Sequence, residues 1–207
     1  LRTVSIDDPL QRLEALQGAP EVSAEVLLAR ARAGLEAARG ERVDEAVQTL
    51  LANDPWDWRA VWMSGLLALA RGDTVQAQSA FNAVYGQVPG ELAPKLALAF
   101  ACESGGEADV AESLYTVCAR TDANHIAPAA FGLARIRAAR GDVAGAVRAL
   151  DLVPGTSRAF TRARRRRAGL LASSGGGLPS LAQALDSIDD LTIDPTDRSR
   201  FRVEVLS

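Results

Sequence analysis

Few residues in this chain have the types and spacing that chemistry needs. His125 is the only histidine, with Asp122 and Asn124 close by, so a general base or metal ligand is one reading and a surface or capping residue in an inter-helix loop is the other. Cys102 and Cys118 lack the CxxC spacing of zinc or disulfide-exchange sites. They read as small apolar core residues, with a redox pair as the alternative. Gly175-Gly176-Gly177 would cradle a phosphate only with a flanking strand and a nearby lysine, and the sole lysine, Lys95, lies far away in a helical stretch.

The main charge feature is Arg162 together with Arg164, Arg165, Arg166 and Arg167. On a helix these side chains spread around most of the circumference, so they cannot all serve one groove. A solvated or salt-bridged face is one reading. The other is a patch for an acidic or phosphothreonine-bearing partner, or for single-stranded nucleic acid, which the lack of interleaved aromatics opposes. No residue set is expected to be catalytic, to bind a cofactor or to hold a metal.

The elements that carry these residues are helical. The 207 residues are 48% apolar and 24% charged with a formal net charge of -3, a balance that supports a core and announces neither a nucleic-acid-binding domain nor an acidic tail. Apolar residues recur at three- and four-residue spacing, as in Leu27, Leu28, Ala31 and Leu35, while Gly and Pro fall between such stretches. No apolar run reaches the roughly 18 residues of a membrane span, and no signal-peptide pattern opens the chain. The expected setting is cytoplasmic. Because the chain begins at Leu1 without an initiator Met, it is expected to be a fragment of a longer protein.

Internal repeats give the architecture. Residues 58–89, 93–124 and 128–158 align with Gly72, Gly106 and Gly141 in register, 34 and 35 residues apart. The same intervals stack Ala77, Ala111 and Ala146, then Phe81, Tyr115 and Leu150. Each repeat predicts a helix A, a Gly-Asp or Gly-Glu turn and a helix B. The alanines let helix B approach helix A at Gly65, Ala99 and Ala134. An earlier pair is expected over residues 24–53 and a degenerate one over 158–190. A last helix is expected from Pro195 towards Leu206, presenting Phe201, Val203 and Leu206 and needing a cover from the preceding repeat or a second subunit. The prediction is an all-α, right-handed superhelix of about four to five tetratricopeptide-like pairs over residues 21–207, with residues 1–20 as a linker arm.

Several contiguous strings carry a closer likeness. Pro89-Gly90-Glu91-Leu92-Ala93-Pro94-Lys95-Leu96-Ala97-Leu98-Ala99, Ala130-Phe131-Gly132-Leu133-Ala134-Arg135, Val153-Pro154-Gly155-Thr156-Ser157-Arg158 and Trp56-Asp57-Trp58-Arg59-Ala60-Val61-Trp62 resemble the C-terminal repeat domain of the actinobacterial serine/threonine protein kinase G family. The likeness runs from the arm to about Arg162. It implies an upstream rubredoxin-like metal module and kinase domain, with Asp7-Asp8-Pro9 in the connector. It further implies a parent kinase that uses ATP and acts on forkhead-associated regulators of glutamate and 2-oxoglutarate metabolism, and a repeat domain that aids dimerisation and kinase regulation. Two departures stand out: the arginines from Arg162 to Arg167 replace a less basic segment, and the chain stops at Ser207 where the family usually continues.

This piece itself lacks the parts of a kinase. It has no Gly-rich phosphate loop, no strand lysine and no His-Arg-Asp or Asp-Phe-Gly string. Binding is expected instead along the A helices, which line the inner surface of stacked pairs. The register projects Arg59, Trp62, Met63, Leu66, Leu69, Leu96, Phe100, Phe131 and Arg135 onto that face. The partner is expected to be protein: the parent's kinase domain, a second copy in a homodimer, or a forkhead-associated regulator. The chain's own arm or last helices are the alternative occupants. A stand-alone scaffold and an RNA-associated repeat protein are the rival readings of the whole.

Overall fold

Asp8 and Pro9 start the first helix, α1 (Pro9–Gln17), because the proline ring presets the helical φ and the Asp8 carboxylate accepts the Leu10 N–H at 2.9 Å. This computed structural model describes residues 6–189, 191 and 194–206. Residues 1–5 of the expected arm lie outside the described residues, as do Asp190 at the expected end of the fifth pair and the side chain of Leu206. Among the described residues there are twelve helices and no strand, so the fold class is all-α.

The chain divides into two units, each described by itself. The first ends at Gly105 and holds α1, α2 (Ala24–Glu36), α3 (Gly40–Asn53), α4 (Trp58–Arg71), α5 (Thr74–Gln87) and α6 (Leu92–Ser104). The second holds α7 (Ala108–Thr121), α8 (Ala123–Ala139), α9 (Val143–Leu150), α10 (Phe160–Ala172), α11 (Gly177–Asp189) and α12 (Pro195–Leu206). Four sequence repeats appear as the pairs α2/α3, α4/α5, α8/α9 and α10/α11. The remaining repeat gives α6 to the first unit and α7 to the second.

The Gly-Asp turns behave as their chemistry predicts. Gly72 (φ 77) and Gly141 (φ 78) take the left-handed conformation that only glycine adopts without cost. Each closes its helix with a pair of reversed hydrogen bonds, Gly72 N–H to the Leu69 carbonyl at 3.0 Å and Asp73 N–H to the Ala68 carbonyl at 2.9 Å in the first case. The aspartates that follow then cap the next helix: Asp73 accepts the Gln76 N–H at 3.0 Å and Asp142 the Gly145 N–H at 2.7 Å. Two residues thus end one helix and begin its antiparallel partner.

Small residues set how closely the pairs approach. Ala77, Ala111 and Ala146 are all fully buried, with Phe81, Tyr115 and Leu150 buried one turn on. What lies against Gly65 is the Phe81 ring, so tightly that an added Cβ would come within 2.7 Å of it. Gly132 on α8 meets the Tyr115 ring of α7 in the same way, at 2.4 Å. The aromatic ring, rather than the alanine, takes the space that the missing Cβ leaves.

One boundary differs from expectation. α8 starts at Ala123 and carries Pro128 inside, because Asp122 caps it by accepting the Asn124 N–H at 2.8 Å. His125 therefore sits in the first turn of a helix and not in a loop. α1 is a nine-residue helix whose Leu13 and Leu16 are buried against α2, while Arg30 donates two hydrogen bonds to the Leu16 carbonyl at 3.0 and 2.8 Å. In α12, Phe201 and Val205 pack on a cluster of Val147, Ala168, Leu171, Ala184 and Ile188, so the preceding pair covers them, whereas Val203 stays exposed.

Candidate functional site

In the first unit the expected binding residues have unequal fates. Arg59 is clamped: its Nε and Nη2 donate to the two Asp57 carboxylate oxygens at 3.0 and 3.1 Å, and Nη1 donates to Glu25 at 2.7 Å. The hydrogen bonds from the Arg59 side chain hold the buried Asp57 carboxyl below the usual carboxylate range against the opposing effect of burial, and Asp57 in turn raises the Arg59 pKa. This guanidinium fastens the start of α4. Met63 departs from expectation, since it is only 6% exposed and belongs to the core with Leu67 and Val47. A helical stripe of 3.6-residue period is wider than the face left open, and position 63 falls on its inner edge.

Trp62 is half-buried with its ring edge-on to Phe81, centroids 5.1 Å apart at 61°. Leu66 and Leu69 follow it at four- and three-residue spacing, both half-buried. On α6, Leu96 is half-buried and Phe100, one turn on, is 46% exposed. Sequence reasoning did not single out Trp56, which is 79% exposed at the turn before α4. The signal available was a tryptophan beside Pro55, in a turn and not on a helix face.

The second unit brings two separately expected groups together. Phe131 and Arg135 of α8 and Arg162, Arg165 and Arg166 of α10 line one cleft of about 980 Å³. Arg158, before α10, adds a fifth guanidinium to its wall. Neither aspartate nor glutamate occurs among the described lining residues. The floor is apolar or small: Ala134, Gly169, Ala172, Ile188, Phe201 and Val205.

Helical geometry explains which arginines face the cleft. Residues 162, 165, 166 and 169 repeat at i, i+3, i+4 and i+7 and share a face of α10. Arg164 and Arg167 point elsewhere, both to Asp151 at 2.8 and 3.0 Å, and Arg167 also donates to Ser187 and to the Gln183 carbonyl. The aromatics missing from the arginine run come from the fold. Arg162 lies 4.7 Å over the Phe131 ring, Arg165 lies 3.8 Å over Phe201, and Arg164 lies 5.0 Å over Phe160, its neighbour one turn back.

The remaining candidates lie outside this cleft. His125 Nδ1 is 3.7 Å from Asp122, and no group of three metal-ligating side chains occurs among the described residues. Cys102 and Cys118 are both buried. Lys95 lies 4.6 Å over the Tyr85 ring and donates to the Pro89 carbonyl, tying α6 to the turn before it. Gly175 (φ 68) and Gly177 (φ 65) turn the chain between α10 and α11.

Comparison with known proteins places this architecture. The profile described as "Protein kinase G tetratricopeptide repeat" matches residues 3–206. This chain belongs to that family. It is 37% identical over 175 residues to the serine/threonine-protein kinase PknG of Mycobacterium leprae, covering 79% of this chain and 23% of that protein. It is 40% identical over 142 residues to PknG of Mycolicibacterium smegmatis, covering 69% of this chain and 18% of that protein. The chain thus spans under a quarter of the length of these curated relatives. A crystal structure of a tetratricopeptide repeat protein from Parabacteroides merdae superposes with a TM-score of 0.60 at 16% identity, covering 96% of this chain and 78% of the other, which shows the tetratricopeptide fold. Among the described residues no helix of this kinase G repeat segment is long and apolar enough to cross a membrane.

Proposed function

We propose that this chain is the non-catalytic protein-docking and regulatory segment of a cytoplasmic serine/threonine protein kinase of the protein kinase G type. The observation that carries this reading is the family match over residues 3–206, in relatives that are serine/threonine-protein kinases and of which this segment aligns with at most 23%. Phosphoryl transfer needs a phosphate loop, a lysine and two aspartates in fixed places, and this sequence supplies none of those motifs. Its work is recognition: presenting Trp62, Leu66, Leu69, Leu96 and Phe100 from one unit, and the arginine cleft from the other, to protein. Residues 1–20 act as the connector to the kinase, residues 21–207 as the repeat domain, and a second copy of the chain is one of its partners.

The test uses the full-length kinase that carries this chain, with and without residues 6–206. Removal is expected to lower phosphorylation of a folded protein substrate by about tenfold or more while leaving a short generic peptide substrate within a factor of about two, since only the former draws on remote binding energy. Equal effects on both substrates overturn the docking role. Light scattering on the 207-residue chain checks dimerisation, and a mass that stays monomeric at every concentration removes the second copy as a partner.

A further inference from the structure

We propose that the cleft between α8, α10 and α12 binds an extended acidic peptide segment, with carboxylates on its arginine wall and apolar side chains on its floor. This deepens the docking reading and rests on it, by naming the chemistry of the partner at one site. The cleft gathers five arginines and no carboxylate among its described lining residues, in a chain whose formal net charge is -3. Several arginines outside the cleft are paired locally: Arg59 with Asp57 and Glu25, Arg137 and Arg140 with Glu112, Arg164 and Arg167 with Asp151. Arg158 and Arg166 have no ion-pair partner among the described residues, and the described contact of Arg162 is the Phe131 ring. Placing Arg162 and Arg166 one helical turn apart is itself unfavourable, and a bound anion relieves it.

The details favour peptide over nucleic acid and several carboxylates over one compact anion. Guanidinium groups already cover one face of Phe131 and of Phe201, the faces a nucleobase would stack on. The arginines come from α8, from the α9–α10 connection and from two turns of α10, so they are strung along the cleft and suit charges spaced along a strand. A guanidinium held flat on a ring still offers its N–H groups in plane, the geometry that pairs with a carboxylate. A volume of about 980 Å³ lies at the upper end of small-molecule sites and accommodates several residues of extended chain. At Gly169, in the floor, an added Cβ would meet nothing within 4 Å, so the surface there is open.

The experiment is fluorescence anisotropy on the 207-residue chain with a fluorescein-labelled peptide of repeating Glu-Glu-Leu units, at about 0.15 M salt. The same peptide with Gln in place of Glu, and an oligouridylate of equal length, serve as competitors. The Glu peptide is expected to bind and both competitors to fail. The double substitution Arg158→Gln with Arg166→Gln is expected to weaken binding by about tenfold or more, since it removes two of the five charges. Gly169→Leu is expected to weaken it by filling the floor with no change of charge, and Arg148→Gln, exposed on α9 outside the cleft, to leave it unchanged. Circular dichroism confirms that each variant stays helical. Equal affinity for the Gln peptide, displacement by oligouridylate, or indifference to both cleft substitutions overturns the assignment. Failure here with a substrate-selective effect of the kinase truncation sinks the acidic peptide alone, whereas loss of that selectivity sinks the docking role.

Discussion

Arg59 and Arg166 carry the same group to different ends. Arg59 is committed to Asp57 and Glu25 and fixes the start of a helix, while Arg166 lines a cleft with no Asp or Glu among its described lining residues. Asp57→Ala removes both the cap on the Arg59 N–H and the partner of its side chain, and is expected to cost about 1–2 kcal/mol by urea denaturation, the modest size reflecting a partly solvated guanidinium. The pH dependence follows from the direction of its shift. Asp57 and Asp194, the latter accepting the Thr196 N–H at 2.8 Å, both titrate lower in the folded chain than in the unfolded one. The unfolded chain therefore binds more protons in this range, so the stability they contribute is present above the ordinary carboxylate value and is lost as pH falls through the folded one. A urea midpoint that declines below about pH 4, with part of the decline missing in Asp57→Ala, is the expected outcome. Neither carboxylate's environment was legible from the sequence, since Asp57 looked like one more acid before a helix.

At the level of helices, glycines of one residue type predict effects of opposite sign. Gly65→Ala and Gly132→Ala force a methyl into the Phe81 and Tyr115 rings and are expected to destabilise by about 1–3 kcal/mol. Gly72→Ala has open space but a left-handed φ of 77, and is expected to cost about 1–2 kcal/mol. Gly169→Ala, in the middle of α10 with no neighbour within 4 Å, is expected to stabilise by up to about 1 kcal/mol. Thermal or urea unfolding of the four variants checks the order. The Gly-Asp turns and the 34- and 35-residue spacing were legible because both depend on covalent neighbours and on helix period. The start of α8 was not, because Pro128 suggested a beginning and the stronger signal was the Asp122 cap six residues earlier.

For the molecule as a whole, the family match covers residues 3–206, and the docking role we propose draws on surfaces of both units. In the second unit α12 is what completes the cleft, through Phe201 and Val205 on the cluster around Ile188. Phe201→Ala is expected to cost about 2 kcal/mol, less than the 3–5 kcal/mol of a fully buried ring, and to raise binding of a hydrophobic dye. An unchanged unfolding midpoint would mean that α12 does not hold this side of the unit.

The sequence by itself determined the all-α class, the paired-helix period, the Gly-Asp turns and the kinship with kinase G repeats, since each is written in residues near one another or at fixed intervals. It also limited how many arginines one groove could use. Only the tertiary structure decided which ones: Asp151 draws Arg164 and Arg167 away, and Phe131 and Phe201 come from helices far along the chain to meet Arg162 and Arg165. Contacts of that kind depend on which helices pack side by side, and packing is set by the fit of whole faces rather than by any spacing along the chain.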